Sequence, residues 1–355
     1  MMISQMHNLR TATKCMGKLG NRAFSVPASA NSNNNSNHIH PRHRVHLLFG
    51  ANTDVGKSIV STGLLRAAAS AAKTNENAPL PSHASLLNYI KPLQCGGSDE
   101  SFVLRHNVHN QEQLDTKETC NDIQRRTLFS WDTPASPHLA SRLENLPVSD
   151  DQVLSALQTS LQSIINSGDS DMNSTTIIET AGGVLSPSSS SPLNHTNQAA
   201  SALIETTTEK PANQWGWSTQ ADLYSSLRVP VVFVGDGKLG GISVTLSSLE
   251  SLWSRGYKVD AVVFIEGQNN SGVDNEAGRC DDEKGNIQFG QGNAEALREY
   301  IAMQKGRSLI DREAIICLPS LPPMPVPLDE WYETNGGAFL DLHHLLCKQW
   351  REKHR

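Results

Sequence analysis

The sequence predicts an α/β fold, a mostly parallel sheet with helices on both faces. Two observations lead there. The apolar run Val45-His46-Leu47-Leu48-Phe49 passes through a glycine-containing turn into an alanine-rich helical stretch, the order strand, tight turn, helix. Beyond it, short apolar runs keep alternating with segments of helical periodicity, which is how a parallel sheet covered by helices reads in sequence.

The first unit carries the most chemistry. Val45–Phe49 is short and apolar enough to be a buried strand. It is followed by Gly50-Ala51-Asn52-Thr53-Asp54-Val55-Gly56-Lys57-Ser58. From Ala51 onward this fits G-x-x-x-x-G-K-[ST], except that Ala51 holds the first glycine position and Gly50 stands one residue early. Ile59, Val60, Leu64, Leu65 and Ala67–Ala69 then continue as a helix. Small residues let consecutive N–H groups turn into one concave nest, and the helix N-terminus adds its positive end. In such a loop Lys57 reaches the β- and γ-phosphates and the Ser58 hydroxyl is placed to ligate Mg²⁺. The expected fold is therefore P-loop NTPase-like.

In chain order, the remaining expected elements are a strand at Leu86–Ile90 ending at Lys91-Pro92, and a helix at Gln152–Ile165. The helix carries Val153, Leu154, Leu157, Leu161, Ile164 and Ile165 on one face. A strand at Thr176–Ile178 runs into Glu179-Thr180-Ala181-Gly182-Gly183. Another at Val229–Val234 is followed by a glycine-rich turn and a helix at Ile242–Arg255. Lys258–Ile265 (strand), Asn293–Gln304 (helix) and Ala314–Cys317 (strand) complete the pattern. Asp222, before a helix-like stretch, reads as a cap. Three polar insertions, near 72–84, 186–215 and 267–292, read as surface loops. Their composition, including the run Ser188–Ser191, does not supply a core.

No Asp or Glu precedes Asp54, whereas Arg10, Lys14, Lys18 and Arg22 are spaced among Ser, Thr and Asn. That is the composition of an organelle transit peptide, with the mitochondrion as first expectation and the plastid as second. Residues 1–43 are read as this peptide and a linker, and 44–355 as the functional domain. The N-terminal run is too broken by polar residues for a membrane span. With 355 residues and a formal charge of −6, one large or two small soluble domains are expected, and nucleic acid is disfavoured as a partner. The six cysteines show no C-x-x-C or Cys/His spacing, so neither a zinc site nor a disulfide framework is expected.

In an open α/β sheet, ligands sit beyond the carboxyl ends of the strands. That rim collects Gly50–Ser58, Lys91–Asp99, Glu179–Gly183 and Gly235–Ser243. Lys91 is either a solvated strand-end lysine or a second ammonium for phosphates or an anionic substrate. Asp99 and Glu179 are oxygen ligands suited to Mg²⁺, which commonly takes one or two carboxylates beside phosphate oxygens. Gly240-Gly241-Ile242-Ser243 opens a helix, so its N–H groups could cradle another anion, or its glycines could serve close packing alone.

Five motifs occur in one order: the P-loop, Lys91-Pro92-Leu93-Gln94-Cys95-Gly96, Thr133-Pro134-Ala135-Ser136-Pro137-His138, Glu179–Gly183, and Gly235-Asp236-Gly237-Lys238-Leu239-Gly240-Gly241-Ile242-Ser243. In that order they resemble dethiobiotin synthetase, and most of all the synthetase half of the plant-type fusion with diaminopelargonate aminotransferase. The family's P-loop also carries its leading glycine one residue early. The resemblance implies ATP and Mg²⁺ as cofactors, 7,8-diaminopelargonate and CO₂ as substrates, a homodimer, and a functional link to an aminotransferase. By likeness, Lys57 and Lys91 flank the transferring phosphoryl group and Thr53 faces a substrate carbamate. Ser58, Asp99 and Glu179 hold Mg²⁺, and the loop from Gly50 through Asn52, Asp54, Val55 and Gly56 wraps the nucleotide phosphates. Lys91, Cys95 and Gly240–Ser243 touch the diamine.

Departures from the family pattern are informative. Cys95 stands where the family has Ser or Thr, the loop leading to Asp99 is short, and the adenine-reading Asn of bacterial members is replaced around Ile265-Glu266. Pro319–Pro327 is expected to border the base pocket, and no aminotransferase segment is expected within these 355 residues. Two other readings share the P-loop: a switch ATPase of the partitioning type, and a non-catalytic domain that docks on a separate aminotransferase. The former usually carries a second lysine where this chain has Asn52.

Overall fold

The computed structural model describes residues 42–73, 86–107, 123–167, 173–192, 215–267, 288–304, 310–323 and 325–354. The proposed transit peptide, apart from its last two residues, lies outside them, as do the larger parts of the three insertions. Seven strands form one sheet: β1 (His43–Gly50), β2 (Leu86–Cys95), β3 (Ile123–Trp131), β4 (Ser174–Glu179), β7 (Val231–Val234), β8 (Val259–Ile265) and β9 (Ile315–Leu318). Their order is β3-β2-β4-β1-β7-β8-β9, and every pairing within this sheet is parallel. A separate two-stranded ladder joins β5 (Ser191–Pro192) to β6 (Trp215–Gly216).

β1 is central because it can be buried on both faces. Its alternation sends His46 toward Trp350, with ring centroids 5.8 Å apart, and sends Phe49 toward Tyr224 and Tyr257 on the other side. The first helix, α1 (Lys57–Lys73), starts directly after the P-loop. β1 pairs with β4 on one side and β7 on the other, neither of which is the next strand in sequence, so the loop after β1 opens at the sheet's switch point.

The expected elements are present, with shifted ends. β2 runs five residues past Ile90, through Pro92. This is tolerated because the β4 ladder stops at Ile90–Ile178 and only β3 continues alongside. The helix over 152–165 is α4 (Asp150–Ser167), with Val153, Leu157 and Ile164 buried as anticipated. The helices expected at 242–255 and 293–304 are α6 (Gly241–Ser254) and α7 (Phe289–Met303).

Several elements were not anticipated. They are α2 (Asp99–Asn107), the edge strand β3, α3 (Pro137–Leu143) and the C-terminal pair α8 (Leu328–Thr334) and α9 (Gly336–Lys353). α9 buries Phe339, Leu342, Leu346 and Trp350, and Tyr332 of α8 donates a hydrogen bond to the Ile59 carbonyl of α1.

Two sequence expectations need correction. Ser188, Ser189 and Ser190 are buried, not on a surface loop. Their polar atoms are satisfied internally: Ser189 donates to the Val148 carbonyl at 2.6 Å, and Arg142 Nε donates to Ser190 Oγ at 3.1 Å. Composition failed because small hydroxyls bury cheaply once paired. Asp222 is not the cap of its helix, α5 (Gln220–Leu223). Thr219 is, accepting from the Asp222 N–H, while Asp222 pairs with Arg255 at 2.8 Å. Among the described residues, no helix is long and apolar enough to cross a membrane.

Candidate active site

The P-loop backbone takes the shape its sequence requires. Gly56 sits at φ +96°, and a β-carbon there would lie 2.5 Å from Ile265 Cδ1, so only glycine fits. Asp54 is left-handed at φ 58°, a conformation Asp tolerates better than most residues. Gly50 lies under Val55 and Lys57. The Ala51 N–H bonds to the Val234 carbonyl of β7, fixing the loop's departure from β1. Lys57 folds back so that Nζ donates to the Asn52 carbonyl at 3.0 Å, and the Asn52 side chain accepts from the Thr53 N–H. Burial, reinforced by the neighbouring Lys91 ammonium, pushes the Lys57 pKa down to about 8.

The metal-ligand candidates converge beside this loop. Glu179, the last residue of β4, is 1% exposed, and its Oε1 accepts from Ser58 Oγ at 2.8 Å and from Lys91 Nζ at 2.9 Å. Lys91 Nζ also lies 2.6 Å from Asp99 Oδ2 and donates to the Thr180 carbonyl. Lys91 is therefore no solvated strand-end lysine: it is buried and clamps both carboxylates. Burial works against its charge, but Glu179 and Asp99 outweigh that and hold its pKa above the ordinary lysine value. Burial is the largest influence on Glu179 and pushes it upward, but the Lys91 charge and hydrogen bond, with Ser61 and Lys57, together outweigh it and keep it below the usual carboxylate range.

This donor set fits Mg²⁺. It offers two carboxylates and a hydroxyl, all hard oxygens, with a cationic ammonium already held between the two carboxylates. Among the described residues no cluster of three His, Cys, Asp or Glu could hold a metal alone. Mg²⁺ bound through one or two carboxylates and nucleotide phosphates needs none.

The structure thus brings Lys57, Ser58, Lys91, Asp99 and Glu179 together, Asp99 as the first residue of α2. Thr53 is exposed on the loop. Cys95 ends β2, half-buried, with its thiol pushed up to about 12 by burial, so it offers only a neutral S–H. At Gly241 close packing requires glycine: a β-carbon there would collide with the Asp236 carbonyl. Its N–H donates to Lys238 O, and that of Ser243 donates to Gly240 O. Glu266 is engaged in capping α7, its carboxylate accepting from Gly290 and Gln291 N–H. Sequence reading missed two residues. Ser61 Oγ donates to Glu179 Oε2 at 2.7 Å, and the Tyr89 hydroxyl donates to the same oxygen at 3.1 Å. Ser61 lies one turn after Ser58, and Tyr89 two residues before Lys91 on the same strand face, so periodicity could have found both.

No protein-family model matches the chain. Among curated proteins, it is 33% identical over 223 residues to a bifunctional dethiobiotin synthetase/adenosylmethionine-8-amino-7-oxononanoate aminotransferase of Emericella nidulans, covering 63% of this chain and 22% of that protein. It is 32% identical to a mitochondrial bifunctional dethiobiotin synthetase/7,8-diamino-pelargonic acid aminotransferase of Oryza sativa subsp. japonica, covering 84% and 33%. It is 28% identical to an ATP-dependent dethiobiotin synthetase of Phenylobacterium zucineum, covering 62% and 75%. The chain spans only about a fifth to a third of the length of the bifunctional relatives it matches. Among solved structures, a ParA bound to nonspecific DNA aligns with a TM-score of 0.42 at 9% identity, over 88% of this chain and 99% of that one, too distant a likeness to bear on function. Over most of its length this chain is similar to dethiobiotin synthetases, the name that its fungal, plant and bacterial relatives share.

Proposed function

We propose that the chain is an ATP- and Mg²⁺-dependent ligase that makes dethiobiotin from 7,8-diaminopelargonate and CO₂. The observation that carries this reading is the convergence of Lys57, Ser58, Lys91, Asp99 and Glu179 beside the phosphate loop, where the β4 ladder leaves β2. The names carried by the relatives supply the substrates.

One amine of the substrate adds to CO₂ and loses a proton, giving a carbamate. A carbamate oxygen attacks the γ-phosphorus and ADP leaves. The second amine then attacks the carbonyl carbon of the mixed anhydride and loses a proton, phosphate departs, and the ureido ring is closed. No side-chain nucleophile is needed. Such phosphoryl transfer depends mainly on positioning and positive charge, which suits two lysines in one buried cluster. The P-loop N–H groups bind the phosphates, and Lys57 turns from Asn52 O toward them. Lys91 stabilises charge at the transferring group, and Thr53 meets the carbamate. Ser58, Asp99 and Glu179 would hold Mg²⁺, which when bound adds charge stabilisation at the phosphate oxygens.

The test is purified protein with Mg²⁺, ATP, bicarbonate and diaminopelargonate, read by mass spectrometry for dethiobiotin. ATP turnover without dethiobiotin would instead indicate a switch ATPase, and no turnover of either a non-catalytic domain docked on an aminotransferase. The chain works as a homodimer in this reading, checked by sedimentation equilibrium, and in the mitochondrion. The acid-free N-terminus and the mitochondrial designation of the plant relatives support that location. Residues 1–37 fused to a fluorescent reporter should direct it there; a reporter in plastids or cytosol counts against it.

A further inference from the structure

We propose that Ser61 and Tyr89 are positioning residues that make Glu179 a one-oxygen metal ligand. The inference rests on the reading of Glu179 as a ligand and assigns roles to two side chains outside every motif above. A carboxylate offers about four acceptor sites, and all four are engaged here. On Oε1 the partners are Ser58 Oγ and Lys91 Nζ, two groups that face the phosphate loop. On Oε2 they are Ser61 Oγ and the Tyr89 hydroxyl. Ser61 and Tyr89 are both fully buried, one on α1 and one on β2.

The two oxygens are therefore not equivalent. Oε2 is saturated by neutral donors whose backbones are fixed in a helix and a strand, and it has no lone pair left for an ion. Oε1 is held by one hydroxyl that is itself a candidate ligand and by the Lys91 ammonium, which has Asp99 and the Thr180 carbonyl as further partners, so an ion can take the place of these contacts on Oε1. Ser61 and Tyr89 fix the rotation of the carboxylate about its last bond, so Oε1 meets Ser58. Groups that orient a ligand in this way are commonly worth about 10–100-fold in metal affinity.

The test measures Mn²⁺ by the EPR signal of the free ion, titrated into protein saturated with the non-hydrolysable ATP analogue AMP-PNP. It compares wild type, Ser61→Ala, Tyr89→Phe, the double variant and Glu179→Gln. Metal-free AMP-PNP affinity and thermal stability are measured alongside. Each single change should weaken Mn²⁺ binding by about tenfold, with metal-free nucleotide affinity unchanged. Tyr89→Phe keeps the ring and its packing, so it stays informative if Ser61→Ala fails to fold. Unchanged Mn²⁺ affinity in Glu179→Gln would overturn the ligand assignment itself. Weakened binding in Glu179→Gln with wild-type binding in Ser61→Ala and Tyr89→Phe would overturn the positioning role alone. Equal losses of metal-dependent and metal-free nucleotide binding would also overturn it, since they would mark these residues as merely structural.

Discussion

Replacing Lys91 with methionine removes the ammonium between two carboxylates while keeping the length and the apolar stem of the side chain. Glu179, 1% exposed, would keep Ser58, Ser61 and Tyr89 but lose its countercharge. Removing one partner of a buried pair typically costs about 3–5 kcal/mol. The retained hydrogen bonds, and the option of taking up a proton, lower the expectation here to about 2–4 kcal/mol, with about 1–3 kcal/mol the usual cost of a poorly satisfied buried group. At about 2–4 °C per kcal/mol, the scale for domains of about 150–250 residues and an upper bound for this longer one, the melting point should fall by at most roughly 4–16 °C.

The sign of the pH dependence is distinctive. In the wild type Lys91 holds Glu179 below its ordinary range, so that group adds stability above pH of about 4.3, and the contribution fades as pH drops through the lowered folded value. In Lys91→Met, burial is opposed only by the Ser61 hydrogen bond and the Lys57 charge, and Glu179 is expected to rise above its ordinary range. The folded state then holds the proton more tightly than the unfolded state, and stability falls as pH rises above about 4.3. The gap between variant and wild type should be widest near pH 7 and narrow toward pH 5. Adding Glu179→Gln should recover much of the loss, because the uncompensated charge is gone. Urea denaturation of the ligand-free protein at pH 5, 6 and 7 measures all three. A gap that is constant with pH, or a double variant less stable than Lys91→Met, would refute the argument.

Three further outcomes are expected. Lys57→Ala should fold normally and lose about 10²–10³ in dethiobiotin-forming rate, the usual cost of removing a group aimed at developing charge; near-normal turnover would remove Lys57 from the chemistry. Burial, with Arg44 next in effect, pushes the His343 pKa down to about 3, so below pH of about 6.5 the unfolded state binds a proton that the folded state refuses. Its share of stability should fall by about 1.4 kcal/mol per pH unit, and His343→Leu should flatten the urea midpoint between pH 6.5 and 5; an unchanged slope contradicts this. Trp350→Ala, at a position 1% exposed between His46 and His354, should cost about 3–5 kcal/mol by equilibrium unfolding, and a loss under 1 kcal/mol would mean α9 does not anchor β1.

What could be read from sequence and what could not separates along a physical line. The phosphate loop was legible because much of its geometry is local: Asp54 and Gly56 take left-handed backbone and Lys57 folds back onto Asn52 within one short stretch. Lys91 and Glu179 were legible because each closes an apolar run, and strand ends share one rim. Asp99 depended on how β2 ends, and β2 outran its apolar run because pairing with β3 carries it through Pro92. β3 itself, Ile-Gln-Arg-Arg-Thr-Leu-Phe-Ser-Trp, has no run to announce it. It lies at the sheet edge, where only Trp131 is buried, so burial imposes little pattern. α9 does carry a helical stripe, Phe339, Leu342, Leu346, Cys347 and Trp350, but His343 interrupts its hydropathy while sharing its buried face. Gly241 shows what sequence leaves out. A Gly-Gly pair at a helix start reads as an anion cradle, yet the Asp236 carbonyl packed against it is visible only in three dimensions. The same holds at Glu179, where sequence gives the carboxylate but not the division of its oxygens. That division arises because α1 and β2 both face the end of β4, and it turns a buried acid into a directed one.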